Sequence, residues 1–301
     1  MELLRILEGI RSPFLDFLVG LITGLGEEEV ILVIICVAFW CVNKMFAYRA
    51  GIVFFLSGIT VQGAKITFRV DRPWVADQTF TPVQSAMERA TGFSFPSGHT
   101  QAAASLFGSL GAQFRKVPLK IICFAIVFLV AFSRLYLGVH TLSDVVASVI
   151  ITLLLVFVVF KFFGGETVCK KRVLCFSLFI IVYAVAAIIY ATVLFNGDII
   201  ERAYMIDCLK ASGAAMGFAA GMYIENVYIR FSVRARSILF QIIKFVLGFA
   251  GVMAIKEGLK PLIGDSPAAD TVRYFLMTFW IIGLYPLIIK RFFAVEQTAK
   301  S

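Results

Sequence analysis

The chain holds two histidines among 301 residues, and each stands in a run suited to handling an anion. His99 lies in "FPSGHT" (Phe95 to Thr100) and His140 in "SRLYLGVHTLSD" (Ser133 to Asp144). His140 and Asp144 are four residues apart, so on a helix their side chains share a face. The carboxylate can accept the ring N–H, fix the tautomer and leave the other nitrogen bare. A bare, oriented imidazole nitrogen is a nucleophile or a base. In "FPSGHT", Pro96 and Ser97 mark a helix start. The free N–H groups of a first helical turn bind anions, Gly98 lets an oxyanion approach the backbone, and His99 projects beside it. A third cluster, "KITFRVDRP" (Lys65 to Pro73), sets Lys65 and Arg72 two helical turns apart, about 10 Å of rise. Pro73 disfavours helix at Arg72, which therefore sits at or past the helix end. Two cations aimed at one point suit an anion with several oxygens, and Arg134 joins them from the end of the span before His140. The chemistry is that of phosphate.

Each cluster taken alone also has a structural reading. Lys65 and Arg72 can snorkel to headgroups, Ser97 to His99 can be a capped helix start, and His140–Asp144 can be a structural pair. The elements that carry the clusters argue for the joint reading. The chain is 60% hydrophobic and 16% charged, against about half and about a quarter in a soluble domain. That composition predicts an all-α, polytopic membrane bundle. The net charge of +9 does not point to nucleic acid, because the basic residues fall in short clusters between apolar runs, which is how topology is written in cytoplasmic loops.

Spans long enough to cross a bilayer are predicted near 29–43, 50–66, 98–114, 119–136, 141–162, 173–195, 209–229, 238–256 and 271–289. Every second loop is basic, from Lys44 and Arg49 to Lys290 and Arg291, so those loops are expected inside. All three clusters then map to the other, non-cytoplasmic face. Residues 3–25 carry Arg5, Glu8, Arg11 and Asp16 and read either as an amphipathic surface helix with a short helix after Pro13, or as one imperfect crossing. No removable signal peptide is evident. Glu225 and Lys244 are expected to snorkel, Trp74 to anchor at the interface, and the six cysteines to act as small buried hydrophobes. No His/Asp/Glu cluster of metal-binding type is present, so neither metal nor cofactor is expected.

The three clusters resemble the type-2 phosphatidic acid phosphatase superfamily, whose pattern is Lys-x6-Arg-Pro, Pro-Ser-Gly-His and Ser-Arg-x5-His-x3-Asp. Here it reads Lys65…Arg72-Pro73, Pro96-Ser97-Gly98-His99 and Ser133-Arg134…His140…Asp144, with no departure. The order of "LGEEEV", "FWCVNK", the three motifs and four further spans, with "ASGAAMGFAAG" (Ala211 to Gly221), is similar to sphingosine-1-phosphate phosphatases and bacterial relatives; the small residues also mean close helix packing. The resemblance implies a six-helix phosphatase core, which favours counting residues 3–25 as a crossing, plus about four C-terminal helices, divided as residues 1–165 and 166–301. It implies double displacement through phosphohistidine. His140 is the nucleophile, Asp144 orients it, and His99 is the general acid and then base. Lys65, Arg72, Ser97, Gly98 and Arg134 hold the phosphate oxygens without a metal. The expected partners are the bilayer and a lipid phosphate, in the plasma (inner) membrane of a bacterium or the endoplasmic reticulum of a eukaryote. A polyprenyl (undecaprenyl) diphosphate phosphatase is the alternative substrate class, and a lipid or small-molecule transporter the alternative of another kind.

Overall fold

The computed structural model describes residues 1–165 and 168–293, and among these every regular element is helical. The division expected at 165/166 falls at residues 166–167, outside the described residues. Two helices at the N-terminus, α1 (Glu2–Gly9) and α2 (Pro13–Gly24), meet at Pro13, where the Ser12 hydroxyl caps α2 by accepting from Leu15 N. Then follow α3 (Glu28–Val37), which continues through a π-helical turn (Ala38–Val42), and α4 (Lys44–Phe68), capped by Asn43. Two single turns, α5 (Pro73–Ala76) and α6 (Gln84–Met87), lie in the connection to α7 (Gly98–Gln113). Next come α8 (Val117–Tyr136), α9 (Leu142–Phe162), α10 (Lys170–Asn196) and α11 (Arg202–Ile224). The last described elements are α12 (Ile238–Met253), the single turn α13 (Lys260–Ile263), α14 (Pro267–Phe279) and α15 (Tyr285–Phe292).

Among the described residues, six segments are long and apolar enough to cross a membrane: Lys44–Ala76, Val117–Tyr136, Leu142–Phe162, Lys170–Asn196, Ile238–Ile263 and Pro267–Phe292. Helices α3, α7 and α11 are shorter or less apolar and run between them. Large apolar side chains such as Phe128, Ile150, Phe157 and Val182 point outward, as they do where the surroundings are hydrocarbon. The interior carries polar groups that satisfy one another, for example Gln101 Nε2 donating to Ser57 Oγ at 2.6 Å. An apolar solvent drives no apolar burial, so packing and internal hydrogen bonds must hold the bundle.

The N-terminal helices do not cross. Arg5 pairs with Asp77 at 2.8 Å, Arg11 donates to Tyr136 O at 2.9 Å, and the Tyr136 hydroxyl donates to Asp16 at 2.8 Å. Both helices therefore lie across one end of the bundle, against the 73–81 segment and the end of α8. This corrects the crossing that the six-helix core favoured. The physical reason is charge: four ionised side chains find partners at the rim that a crossing would deny them. Asp77 is held below the usual carboxylate range by hydrogen bonds from Thr79, with Arg5 adding to the effect.

At the opposite end, Glu225 does not snorkel. It is fully buried, with Lys44 Nζ at 2.7 Å, Phe231 N at 3.0 Å and the Tyr48 hydroxyl as partners. Lys244 is likewise buried and donates to Val233 O at 2.9 Å. Cys36, Cys123 and Cys208 are buried, while Cys169 and Cys175 are exposed.

Helix α11 packs between α4 and α14. Along its α14 side, a Cβ at Gly213 would overlap Thr271 O, and one at Gly217 would overlap Phe275 O and Thr278 Oγ1. The approach lets Thr278 Oγ1 donate to Ala214 O at 2.7 Å. Gly217→Val should force α11 and α14 apart and cost about 1–3 kcal/mol, read as a Tm several degrees lower for the detergent-purified protein.

Candidate active site

The three clusters meet at the end of the bundle that α1 and α2 cover. The capping of α9 explains how Asp144 is held. Thr141 and Asp144 form a reciprocal capping box at its start, with Thr141 N donating to Asp144 Oδ2 at 2.8 Å. Ser94 Oγ donates to the same oxygen at 2.6 Å. Asp144 Oδ2 lies 3.3 Å from His140 Nδ1, and both side chains are almost wholly buried. A carboxylate accepts only, so Nδ1 carries the proton and Nε2 the lone pair. That lone pair faces Arg72 Nη1 at 3.0 Å. Before His140 the chain turns at Gly138, whose φ of +76° only glycine adopts freely and where a Cβ would strike Phe80 and the Arg11 guanidinium.

Arg72 is fixed from several sides. Its guanidinium donates to Gly92 O at 2.9 Å, to Val139 O at 2.9 Å and to Thr91 O. Trp74 lies beneath it, 5.9 Å from ring centroid to guanidinium carbon, so this tryptophan supports the site as well as the rim. Lys65, at the end of α4, donates to Phe93 O at 2.8 Å. Arg134 donates through Nη1 to Thr23 Oγ1 at 2.8 Å, and its buried Nε has no hydrogen-bond partner among the described residues. Burial and the nearby guanidiniums of Arg72 and Arg134 push the His140 imidazole well below its usual range; the hydrogen bond to Asp144 opposes this without overcoming it.

These groups surround a cavity of about 560 Å³ bordered by Lys65, Arg72, Gly98, His99, Arg134 and His140. The His99 ring borders the cavity without a hydrogen bond among the described residues. Ser97 is placed differently from expectation. It is fully buried, does not border the cavity, and its Oγ accepts from Thr100 N and Oγ1 at 3.4 and 3.0 Å. Its hydroxyl thus starts α7 and aims Gly98 and His99. Of the neighbouring charges, Arg89 borders the cavity and pairs with Glu27 at 3.1 Å, whereas Arg69 ends α4 in the left-handed region and does not border it. Sequence reasoning missed Ser94 and Thr23, whose partners lie 50 and 111 residues away. It also missed Asp207 on the cavity wall, where Glu28 of "LGEEEV" stands as well. None of them stands in a recognisable spacing. No three His, Cys, Asp or Glu side chains converge as a metal-binding set among the described residues.

A many-helix bundle with exposed apolar flanks, holding three cations and a His–Asp pair around a cavity at one end, defines a class: multi-pass membrane proteins that handle phosphate. The chain belongs to the PAP2 superfamily, and its relatives there mark it as a membrane lipid phosphatase. The PAP2 superfamily model matches residues 46–168, and that for the PAP2 superfamily phosphatase transmembrane extension matches residues 209–297. Phosphatidylglycerophosphatase B of Bacillus subtilis (strain 168) is 31% identical over 160 residues, covering 50% of this chain and 76% of the relative. The probable sphingosine-1-phosphate phosphatase of Dictyostelium discoideum is 29% identical over 164 residues, covering 49% of this chain and 38% of that protein. Among solved structures, a transmembrane PAP2-type phosphatidylglycerolphosphate phosphatase from Bacillus subtilis is 29% identical, with a TM-score of 0.45 over 54% of this chain and 82% of the other.

Proposed function

We propose that the protein hydrolyses lipid phosphates by double displacement through a phosphohistidine, without a metal, at the non-cytoplasmic face. The observation that carries this reading is the orientation of His140, with Nδ1 toward Asp144 and Nε2 toward the cation-lined cavity. Nε2 attacks phosphorus, a P–N bond forms, and the P–O bond to the lipid breaks as His99 gives its proton to the departing oxygen. His99 then takes a proton from water, which attacks phosphorus, breaks the P–N bond and releases phosphate and free His140. Asp144 holds the ring and balances the imidazolium. Lys65, Arg72, Arg134 and the first N–H groups of α7 neutralise the phosphoryl oxygens, which is most of what phosphoryl transfer asks of a protein. Arg72 leaves Nε2 for a phosphoryl oxygen when substrate arrives. In this reading residues 1–165 carry the chemistry, and α10, α11 and α14 belong to the part that packs on them. Sidedness is supported by the basic residues at the opposite end, among them Lys44, Arg115, Lys116, Lys170 and Arg234.

The test is phosphate release from lipid phosphates by the purified protein with excess chelator, followed across pH. The nucleophile must be neutral. Because the imidazole of His140 is depressed, its neutral form persists below the ordinary value of about 6.5. The acid limb of kcat/KM should therefore lie below that value, with activity on that side lost as pH drops through the depressed one, while loss of the His99 proton sets a separate basic limb. Loss of turnover on chelation, or an acid limb at or above the ordinary value, would count against the reading.

A further inference from the structure

A second cavity, of about 240 Å³, opens beside the first. The two share Glu28, Glu29, Gln62, Gly98 and Asp207 as a common border. Beyond that border the wall becomes mainly apolar, with Lys210 and Lys256 as its charged members. One side is built by Phe54, Phe55 and Val61 of α4, and the other by Ala214 of α11 with Tyr274 and Met277 of α14. The cavity thus lies in the seam between the helices that carry the three motifs and the C-terminal helices. Building on the reading above, we propose that the substrate is a lipid phosphate monoester whose hydrocarbon chain lies in this seam cavity, so that α11 and α14 form the tail subsite.

Three observations carry it. A phosphoryl group held by Lys65, Arg72 and Arg134 beside His140 must send its ester oxygen toward one of the remaining walls. On one of these, Arg89 and Thr91 are polar and exposed; across the Gly98 border the wall is mainly apolar, with Phe54, Phe55 and Met277 placed to pack against an alkyl chain. Small residues set the width of that cavity: Ala211 and Ala214 border it from α11, and Gly98 has nothing within 4 Å of where a Cβ would stand. The border itself is acidic. Three carboxylates face it: Glu29 is engaged by Lys256 at 3.5 Å, while Glu28 and Asp207 have no hydrogen bond or ion pair to their carboxylates among the described residues. The inner phosphate of a diphosphate would stand against these two carboxylates, while the first carbons of a monoester would pass them. Like charges so placed reject the wrong substrate more than they stabilise the right one.

The experiment compares butyl and hexadecyl monophosphates, and hexadecyl monophosphate with hexadecyl diphosphate, at fixed detergent, on the wild type, Ala211→Phe, Met277→Ala and Asp207→Asn. In the wild type kcat/KM should rise with chain length, and the monophosphate should be preferred to the diphosphate by about tenfold or more. Ala211→Phe, which fills the cavity, should lower the hexadecyl-to-butyl ratio about tenfold, mainly through KM. Met277→Ala, which widens it and removes a side chain that packs on the straight tail, should lower the same ratio about threefold. Asp207→Asn should narrow the preference for the monophosphate. Chain-length ratios unmoved in both cavity variants, or equal turnover of mono- and diphosphate, would overturn the proposal while leaving phosphatase activity intact. A wild type releasing phosphate from none of these lipids would instead sink the phosphatase reading beneath it.

Discussion

His140→Ala is expected to abolish phosphate release, lowering kcat by on the order of 10⁴-fold or more, while the protein still inserts and purifies as the wild type does. The size of the effect follows from the site. His140 supplies the one lone pair that the structure orients into the cation-lined cavity, with Asp144 3.3 Å behind Nδ1 and Arg72 3.0 Å from Nε2. No other uncharged nitrogen nucleophile is so held among the described residues, since His99 borders the cavity without an orienting partner. The cations that remain can still bind phosphate, so the variant should keep substrate affinity and lose turnover. Inorganic phosphate release under saturating lipid, with binding measured separately, checks this. Turnover near that of the wild type would remove His140 from the nucleophile's role.

His99→Ala carries the second large effect, and it depends on the leaving group. A lipid alkoxide needs a proton as it departs, and loss of a positioned general acid costs about 10²–10⁴-fold. Nitrophenolate departs without one, so the first step on p-nitrophenyl phosphate should be largely spared. The second step still lacks its base. The variant should therefore release a burst of nitrophenolate stoichiometric with enzyme and then stall as an acid-labile phosphoenzyme, visible by rapid mixing and acid quench. Equal loss on both substrates without a burst would place His99 in phosphate binding rather than proton transfer. Its half-buried ring, open to the cavity, is placed for exchange with water.

Much of the candidate site was legible because its spacings are local. His140 and Asp144 are one helical turn apart, and "TLSD" is also the capping box that starts α9, so the residues that orient the imidazole lie within a few positions of it. Ser97 shows the limit of such reading: its type marks a helix start, and it caps α7, but a spacing does not say whether a hydroxyl faces the cavity or its own helix. Glu225 shows another. Read alone, a carboxylate near a span end snorkels; its partner Lys44 lies 181 residues away and has no signature in the chain. The N-terminal helices were ambiguous for the same reason, because Arg5 and Arg11 are placed by Asp77 and Tyr136 O.

By itself, the sequence determined that this is a membrane bundle, which segments are helices, and which side chains gather at one end. Apolar length, caps and turn residues act over a few positions, and alternating basic loops orient successive spans. The tertiary structure alone decided which helices are neighbours, where α1 and α2 rest, that Ser94 and Thr23 brace Asp144 and Arg134, and that an apolar cavity opens between α4, α11 and α14. In hydrocarbon every apolar helix face is equally well solvated, so hydropathy carries no preference among partners. The choice is made by close contacts, such as Gly217 against Phe275 O, and by buried polar pairs between residues distant in the chain.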